Sequence, residues 1–165
     1  MYTEYQPSHL LVPYIDSYWE FKGNPDYGMR IHILPDGCTD FIFTLGEVAN
    51  AVEEGSLIMQ PYRSYFVGPM TKYSELVTYT ESIHMFGVRF LPCGLSCFTN
   101  LPLHEFVNSR VSTNEMKAVF DDTFIEKLGE QKHVTDRIRV VEEYLLAYLA
   151  RHYQPADSHV RSEER

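Results

Sequence analysis

Residues 1–100 are dominated by short runs in which aromatic or β-branched residues alternate with polar ones. Such alternation is typical of β-strands that bury one face. Turn-forming residues separate the runs, most clearly at residues 35–38 (PDGC), as in an antiparallel architecture. The pattern predicts about seven strands, and their spacing favours a sandwich or small barrel. The predicted strands are residues 14–21, 29–34, 39–45, 56–60, 64–67, 74–80 and 84–91.

The pattern becomes helical after residue 100, where apolar residues recur at spacings of three and four. Ser112 and Glu115 have the spacing of a capping box at the start of a helix, and Gly129 is expected to cap its far end. The buried face of this helix is predicted to carry Met116, Val119, Phe120 and Phe124.

A second helix is predicted from residue 135 to residue 154, and it carries a stripe of apolar residues. The stripe consists of Ile138, Val141, Leu145 and Tyr148. Either it docks on the β domain, as in most amphipathic helices, or it pairs with its copy in a second subunit. The pattern alone favours docking. These elements divide the chain into a β domain at 1–100, a helical connector at 101–154 and a polar linker at 155–165.

The formal net charge is −9, and both parts of the chain contain more acidic than basic residues. An acidic surface repels phosphate backbones, so we expect this chain alone not to bind nucleic acid. No apolar run approaches the roughly 20 residues that a membrane span needs, and the first residues do not resemble a signal peptide. The three cysteines form no C-x-x-C pair, as expected of reduced thiols. These features predict a cytoplasmic protein with no membrane partner.

The motifs of common enzyme classes are missing from the sequence, which contains no glycine-rich phosphate loop and no nucleophile elbow. His32 and His84 each lack a second histidine within a few residues, so a metal would have no preorganised ligand set. Asp36 and Asp40 flank a turn, and nothing in the sequence predicts that their pKa values differ. We therefore predict no metal, no cofactor and no enzymatic activity.

Polar and aromatic residues embedded in the strand-like runs are the best candidates for a binding site. Arg30 and His32 share one face of their strand because side chains alternate, and Arg89 lies between the apolar residues Val88 and Phe90. If the polar face points inward, each charge needs a carboxylate or a ligand as its partner. The alternative is an exposed polar face or a structural salt bridge.

Four segments, taken in order, resemble the amino-terminal domains of AraC-type transcriptional regulators. They are YQPSHLLVPYIDSYWEF, RIHILPDGCTDFIFTLG, YFVGPM and FGVRFLPCGLSCFTNLPLHEFVN. Members of that family typically carry a tyrosine–tryptophan strand, a leucine–proline–aspartate–glycine turn, a valine–glycine step and a glycine–valine–arginine–phenylalanine strand. The corresponding residues are Tyr18 and Trp19; Leu34, Pro35, Asp36, Gly37, Asp40 and Phe43; Val67 and Gly68; and Gly87, Val88, Arg89, Phe90, Pro92 and Gly94.

The resemblance covers residues 5–110 and implies a cupin-like antiparallel β-barrel or sandwich followed by two or three α-helices. It implies a ligand-sensing and dimerisation domain with a small-molecule effector, a homodimer, and DNA contact only through a carboxy-terminal helix-turn-helix half. Because roughly 100 further residues would be expected in such a regulator, we expect this chain to be a sensor half that ends in the linker.

Within this domain we predict a ligand site that combines an apolar wall with a cationic anchor. Its residues are Trp19, Arg30, His32, Asp40, Phe43 and Arg89. The arginines would hold an anionic or carbonyl group, and Asp40 would orient an arginine. Dimerisation is assigned to Ile138, Val141, Leu145 and Tyr148. The alternatives are a stand-alone cupin-like binding protein or enzyme, and a dimerisation module without a ligand.

Overall fold

The computed structural model describes residues 2–23, 29–33, 36–46, 51–52, 59–72, 74–78, 82–113, 119–120 and 122–152. For residues 29–33, 51–52, 74–78 and 122 the description covers the backbone only.

Nine strands lie in the described part of the chain. They are β1 (Tyr2–Tyr5), β2 (Ile15–Gly23), β3 (Met29–Ile33), β4 (Thr39–Thr44), β5 (Ala51–Val52), β6 (Ser64–Val67), β7 (Ser74–Thr78), β8 (Ile83–Phe90) and β9 (Arg110–Ser112). Six of the seven predicted strands appear, and the seventh, at residues 56–60, falls mostly outside the described residues. The short strands β1, β5 and β9 were not predicted, because two to four residues are too few to display alternation.

Six of these strands form one antiparallel sheet in the order β1-β2-β8-β4-β6-β9. The other three form an antiparallel sheet in the order β3-β7-β5. In the described residues the larger sheet is not closed, since β1 and β9 are its two edges. The architecture is therefore mainly antiparallel β.

Two α-helices follow the strands: α1 (Asp122–Glu130) and α2 (Val134–His152). Both were predicted, but the first begins later than expected: Val119 and Phe120, which were assigned to its buried face, precede α1, and Met116 lies outside the described residues.

The capping box predicted at Ser112 is wrong. Ser112 lies in β9, where it pairs with Tyr65 of β6, so sheet pairing prevails over the local capping pattern. Gly129 lies inside α1 rather than after it. Among the described helices, none combines the length and the apolar character needed to cross a membrane.

Alternation along the central strands gives the larger sheet two buried faces. One face carries an aromatic cluster that packs against both helices, in which Phe41, Phe43, Phe86 and Phe120 are at most 1% exposed. The opposite face carries a second cluster of buried residues: Trp19, Phe21, Ile42, Met59, Tyr65, Val67, Met70, Ile83 and Met85. Sheet and helices share the first cluster, so the packing shows no break near residue 100.

The apolar stripe of α2 docks on the sheet of its own chain. Val141 and Leu145 have no exposed surface, and Ile138 and Tyr148 pack partly buried against the same aromatic cluster. The assignment of Val141 and Leu145 to a dimer interface is therefore corrected, because a fully buried side chain has no surface to offer to a second subunit. For the partly buried Ile138 and Tyr148 the assignment stays a prediction. The predicted linker at residues 155–165 lies outside the described residues.

Candidate functional site

Three of the predicted site residues meet on the sheet face that points away from the helices. Strand pairing places Asp40 of β4 directly opposite Arg89 of β8, and Trp19 of β2 opposite Gly87 of β8. Because β8 lies between β2 and β4, the three side chains converge over one strand. We call Trp19, Asp40 and Arg89 the polar cluster.

Asp40 is the centre of the polar cluster. Its Oδ1 accepts a hydrogen bond of 3.0 Å from the indole Nε1 of Trp19 and another of 3.2 Å from Nε of Arg89. The side chains of Asp40 and Arg89 are 14% and 22% exposed. Charge-assisted bonds of this kind are stronger than neutral ones, so the carboxylate fixes both the indole and the guanidinium.

Gly87 makes this arrangement possible. A Cβ atom at Gly87 would lie 1.9 Å from Cε2 and 2.2 Å from Nε1 of Trp19. The indole therefore lies flat across the backbone of β8, which is how its N–H reaches a carboxylate two strands away. Any larger residue at this position would push the ring away from Asp40.

The edge strand β1 adds two residues that sequence reasoning missed. Glu4 lies opposite Trp19, and its Oε1 is 3.5 Å from Nη1 of Arg89. The hydroxyl of Tyr2 donates to Glu4, and the rings of Tyr2 and Trp19 lie 5.9 Å apart. The Glu4 side chain is 46% exposed. Arg89 thus has a firm partner in Asp40 and a looser one in Glu4, and it also interacts with the hydroxyl of Tyr2.

Burial and charge oppose each other in the polar cluster. Burial raises the pKa of Asp40, whereas the neighbouring Arg89 and the indole hydrogen bond lower it, with a net upward shift. Burial, the largest single effect, lowers the pKa of Arg89, but Asp40, Tyr2 and Asp36 together outweigh it, so the net shift is upward and the guanidinium stays charged. Burial also raises the pKa of Tyr2 to about 12. The cluster therefore combines the guanidinium of Arg89, which stays charged, with the carboxylate of Asp40, whose ionised form is disfavoured by burial.

Of the other three predicted site residues, the structure describes the side chain of Phe43 alone, and it lies outside this cluster. Phe43 is fully buried on the helix-facing side, where it pairs with Phe86 and contacts Phe120 and Phe124. Its assignment to the ligand wall beside Asp40 is corrected, because the two residues are three positions apart in β4 and point to opposite faces. The backbones of Arg30 and His32 lie in β3, but their side chains fall outside the description.

The opposite face of β2 is tied to helix α2 by polar contacts. The hydroxyl of Tyr18 donates a 3.0 Å bond to Glu142, and Glu20 accepts one of 3.1 Å from Arg137. Glu142 also accepts the backbone N–H of Ser8. Residues 18, 19 and 20 therefore point alternately at the helix, at the polar cluster and at the helix again.

Arg137 was also missed by sequence reasoning, although a signal was present. It lies four residues before Val141, so it is a charged residue on the apolar face of α2. It is 6% exposed and donates to the carbonyls of Leu128 and Gln131 as well as to Glu20. A buried charge with three acceptors joins the end of α1, the start of α2 and the sheet.

His84 belongs to the same contact region. Its Nε2 lies 3.0 Å from Glu20, and its side chain is 15% exposed. Burial lowers the pKa of His84, the hydrogen bond to Glu20 opposes that shift, and the charge of Arg137 reinforces it. In the part of the chain that the structure describes, no three acidic, cysteine or histidine residues are grouped as metal ligands would be.

Comparison with known families gives one match. The family model described as Domain of unknown function (DUF6597) matches residues 3–112, which is most of the chain. The chain belongs to the DUF6597 family. The matched region contains the polar cluster, Gly87 and Glu4, whereas α1 and α2 lie beyond it. No curated protein matches the chain.

Proposed function

We propose that this chain is the ligand-sensing domain of a bacterial AraC-type transcription regulator that acts in the cytoplasm. The motif resemblance supports the proposal, since Trp19, Asp40, Gly87 and Arg89 come from three separate motifs and meet at one place. DNA would be contacted only through a helix-turn-helix half outside this chain. The net charge of −9 is consistent with that division of labour.

A single observation carries the sensing proposal: β2 holds the polar cluster with one face and helix α2 with the other. A ligand that shifts the backbone of β2 through Trp19 would also act on Tyr18 and Glu20, its two neighbours, which bond Glu142 and Arg137. An effector changes an output only if its binding free energy differs between two arrangements, typically by about 1–3 kcal/mol. β2 would transmit such a difference from the polar cluster to helix α2, because its residues contact both.

The effector that the polar cluster favours carries a carboxylate or another planar anionic group beside an aromatic or apolar body. Nε of Arg89 donates a hydrogen bond to Asp40, whereas its Nη1 makes only a long contact with the half-exposed Glu4. That contact is easily exchanged for another. An anionic group would replace Glu4 there, and Trp19 would provide an apolar wall. Arg30 and His32 remain candidates for a further part of this site.

We also propose that the two sheets form a cupin-like barrel or sandwich around the polar cluster. The support is burial: Trp19, Met85 and their neighbours are at most 9% exposed, although the helices lie on the other face of the sheet. A homodimer remains part of the proposal, but its interface would exclude the fully buried Val141 and Leu145 of α2.

A direct test of ligand binding uses the fact that Trp19 is the sole tryptophan. We expect benzoate, as a simple aromatic carboxylate, to change the tryptophan fluorescence saturably in the millimolar range. Arg89→Gln should abolish the change, whereas Arg63→Gln, on a different surface, should preserve it. An unchanged spectrum in the wild type, or an equal response in Arg89→Gln, would contradict the assigned anchor.

The regulatory part of the proposal is tested by the gene downstream of the codon for Arg165. We expect an open reading frame of roughly 100 residues that contains two helix-turn-helix patterns with basic recognition helices. An immediate stop codon would contradict the regulator assignment, and a stand-alone small-molecule-binding protein would then replace it.

A further inference from the structure

Three ionisable side chains meet where the larger sheet contacts the end of α1 and the start of α2. Oε2 of Glu20 on β2 lies 3.0 Å from Nε2 of His84 on β8 and 3.1 Å from Nη1 of Arg137 on α2. All three side chains are at most 16% exposed. We call these residues the junction cluster. In it, one carboxylate oxygen accepts from two donors in a mostly buried place.

The contact with Glu20 defines the protonation sites of the imidazole. A carboxylate only accepts hydrogen bonds, so neutral His84 carries its proton on Nε2. Nδ1 is then the atom that takes up a second proton, and no described residue donates a hydrogen bond to it. On another side of the ring, Gly46 packs so closely that a Cβ there would lie 2.9 Å from Cβ of His84. The imidazole can therefore become an imidazolium without losing a bond of its own.

Arg137 is the member of the cluster that holds the two helices. Its Nε and Nη2 donate to the carbonyls of Leu128 in α1 and Gln131 beyond it. Its Nη1 donates to Glu20 and so attaches residues 128–137, the junction of α1 and α2, to the sheet. Because a guanidinium keeps its charge in proteins, this attachment depends on the carboxylate of Glu20.

The charges around His84 make a further cation unfavourable. The charged groups that act on its imidazole are Glu20 and Lys22 on β2 and Arg137 on α2. Asp136 acts on Arg137 from the same helix. Two cations thus already face the carboxylate beside the ring, and an imidazolium would be the third.

Protonation of His84 would weaken the bond between Arg137 and Glu20 for two reasons. A charged N–H forms a stronger hydrogen bond than a neutral one, so the imidazolium takes a larger share of Oε2. The imidazolium also repels the guanidinium, and salt screens this repulsion only weakly because both groups are mostly buried. Both effects act on the same bond and in the same direction.

We propose that His84 is a pH-sensitive latch: its protonation releases Arg137 from Glu20 and lets residues 128–137 open away from the sheet. Burial lowers the pKa of His84 below the ordinary 6.5, so the latch opens in acid rather than at neutral pH. The latch requires no ligand, and it therefore stands or falls separately from the proposed sensing function.

The test follows the backbone amides of the intact chain by two-dimensional NMR from about pH 7.5 to about pH 5. We expect the amides of residues 128–137 to shift with the same midpoint as the ring of His84, below pH 6.5. Their protection from hydrogen exchange, corrected for the intrinsic rate, should fall by up to about tenfold at pH 5.5, because an open state with an ordinary histidine gains that factor. The amides of β6 should keep their protection.

Two variants assign the effect to one histidine. His84→Gln keeps a nitrogen donor for Glu20 but cannot take up a proton, so the pH-dependent step at residues 128–137 should disappear. His133→Gln is the matched control, because this exposed histidine lies in the same junction and its own titration would shift nearby amides. The step should persist in that variant.

Two results would overturn the proposal. One is unchanged protection of residues 128–137 in the wild type while the ring of His84 titrates. The other is a step that persists in folded His84→Gln or disappears in His133→Gln, since either would assign it to a different group. The first result comes from the wild type alone, so it decides the matter even if His84→Gln does not fold.

Discussion

On the face that packs against α1 and α2, the central strands carry mostly aromatic and aliphatic side chains beside the contact of Glu20 with Arg137. The opposite face combines its own buried cluster with the ion pair of Asp40 and Arg89. Both faces are buried, but for different physical reasons. The first is stabilised by the transfer of apolar surface out of water, and many apolar side chains of similar volume would satisfy it. The second depends on a few directional bonds that fail together if one partner is removed.

The face with the directional bonds is therefore the better candidate for a functional site. A face held by packing tolerates gradual change, whereas on the other face the proposed effector would replace Glu4 as a partner of Arg89 and so create a discrete alternative. Substitutions on each face test this difference, beginning with the one expected to cost the most stability.

The largest loss is expected on the helix-facing side. Phe41 is fully buried and its ring contacts Phe66, Phe90 and Phe120, so Phe41→Ala should leave a cavity and cost about 3–5 kcal/mol. Urea denaturation measures this cost. Leu10→Ala is the control, because Leu10 is 57% exposed and should change stability by less than about 0.5 kcal/mol. A loss below 1 kcal/mol for Phe41→Ala would contradict the assignment of this face to the core.

On the opposite face, Asp40→Asn should cost about 2–3 kcal/mol, because the buried Arg89 loses its firm countercharge. The matched control is Asp136→Asn, which breaks a 2.8 Å bond to Arg139, a side chain that is 64% exposed. An exposed pair of this kind should contribute less than about 1 kcal/mol. Equal losses in the two variants would show that the polar cluster is an ordinary surface contact.

A smaller loss, of about 1–2 kcal/mol, is expected for Gly87→Ala, since the new methyl group would displace the indole of Trp19. The fluorescence of the sole tryptophan should shift at the same time. In a Trp19→Ala background the same substitution should cost much less, and a double-mutant cycle measures the difference. If the stability losses of Gly87→Ala and Trp19→Ala add fully in the double variant, Gly87 has no role in positioning the indole.

The smallest effect concerns pH and His84. Burial holds its folded-state pKa below the ordinary 6.5, so the unfolded chain takes up the proton first as the pH falls. The stability contributed by neutral His84 is fully present above pH 6.5 and is lost progressively as the pH falls from 6.5 through the lower folded-state pKa. Urea midpoints at about pH 7.5 and pH 5.5 should therefore differ more for the wild type than for His84→Gln. An identical pH dependence in the two proteins would contradict the shift.

Much of the fold was predictable because alternation and helical periodicity are local. The main β-strands, both helices and the docking of α2 follow from patterns of a few residues. The sequence indicated a pairing of Asp40 with Arg89 only by charge. Their actual contact depends on the strand order β2-β8-β4, which is set by pairings between residues more than 40 positions apart.

The errors also have physical causes. Phe43 could have been assigned correctly from its odd spacing to Asp40, which places the two residues on opposite faces of a strand. The same residues at Ser112 are compatible with a short strand, and they form β9 because β6 offers a free edge for pairing. Glu4 and Gly87 were beyond reach, because their roles depend on the exact distance to residues of other strands.

The central claim is that β2 links the polar cluster to helix α2, and hydrogen–deuterium exchange of the Trp19→Phe variant tests it most directly. Phenylalanine keeps an aromatic ring but cannot donate to Asp40, so the claim predicts faster exchange in α2 around Arg137 and Leu145, beyond any change in β6. The control Met85→Leu, a buried residue of the same face, should leave α2 unchanged. Exchange in α2 that matches the wild type, or that rises equally in every element, would contradict the link.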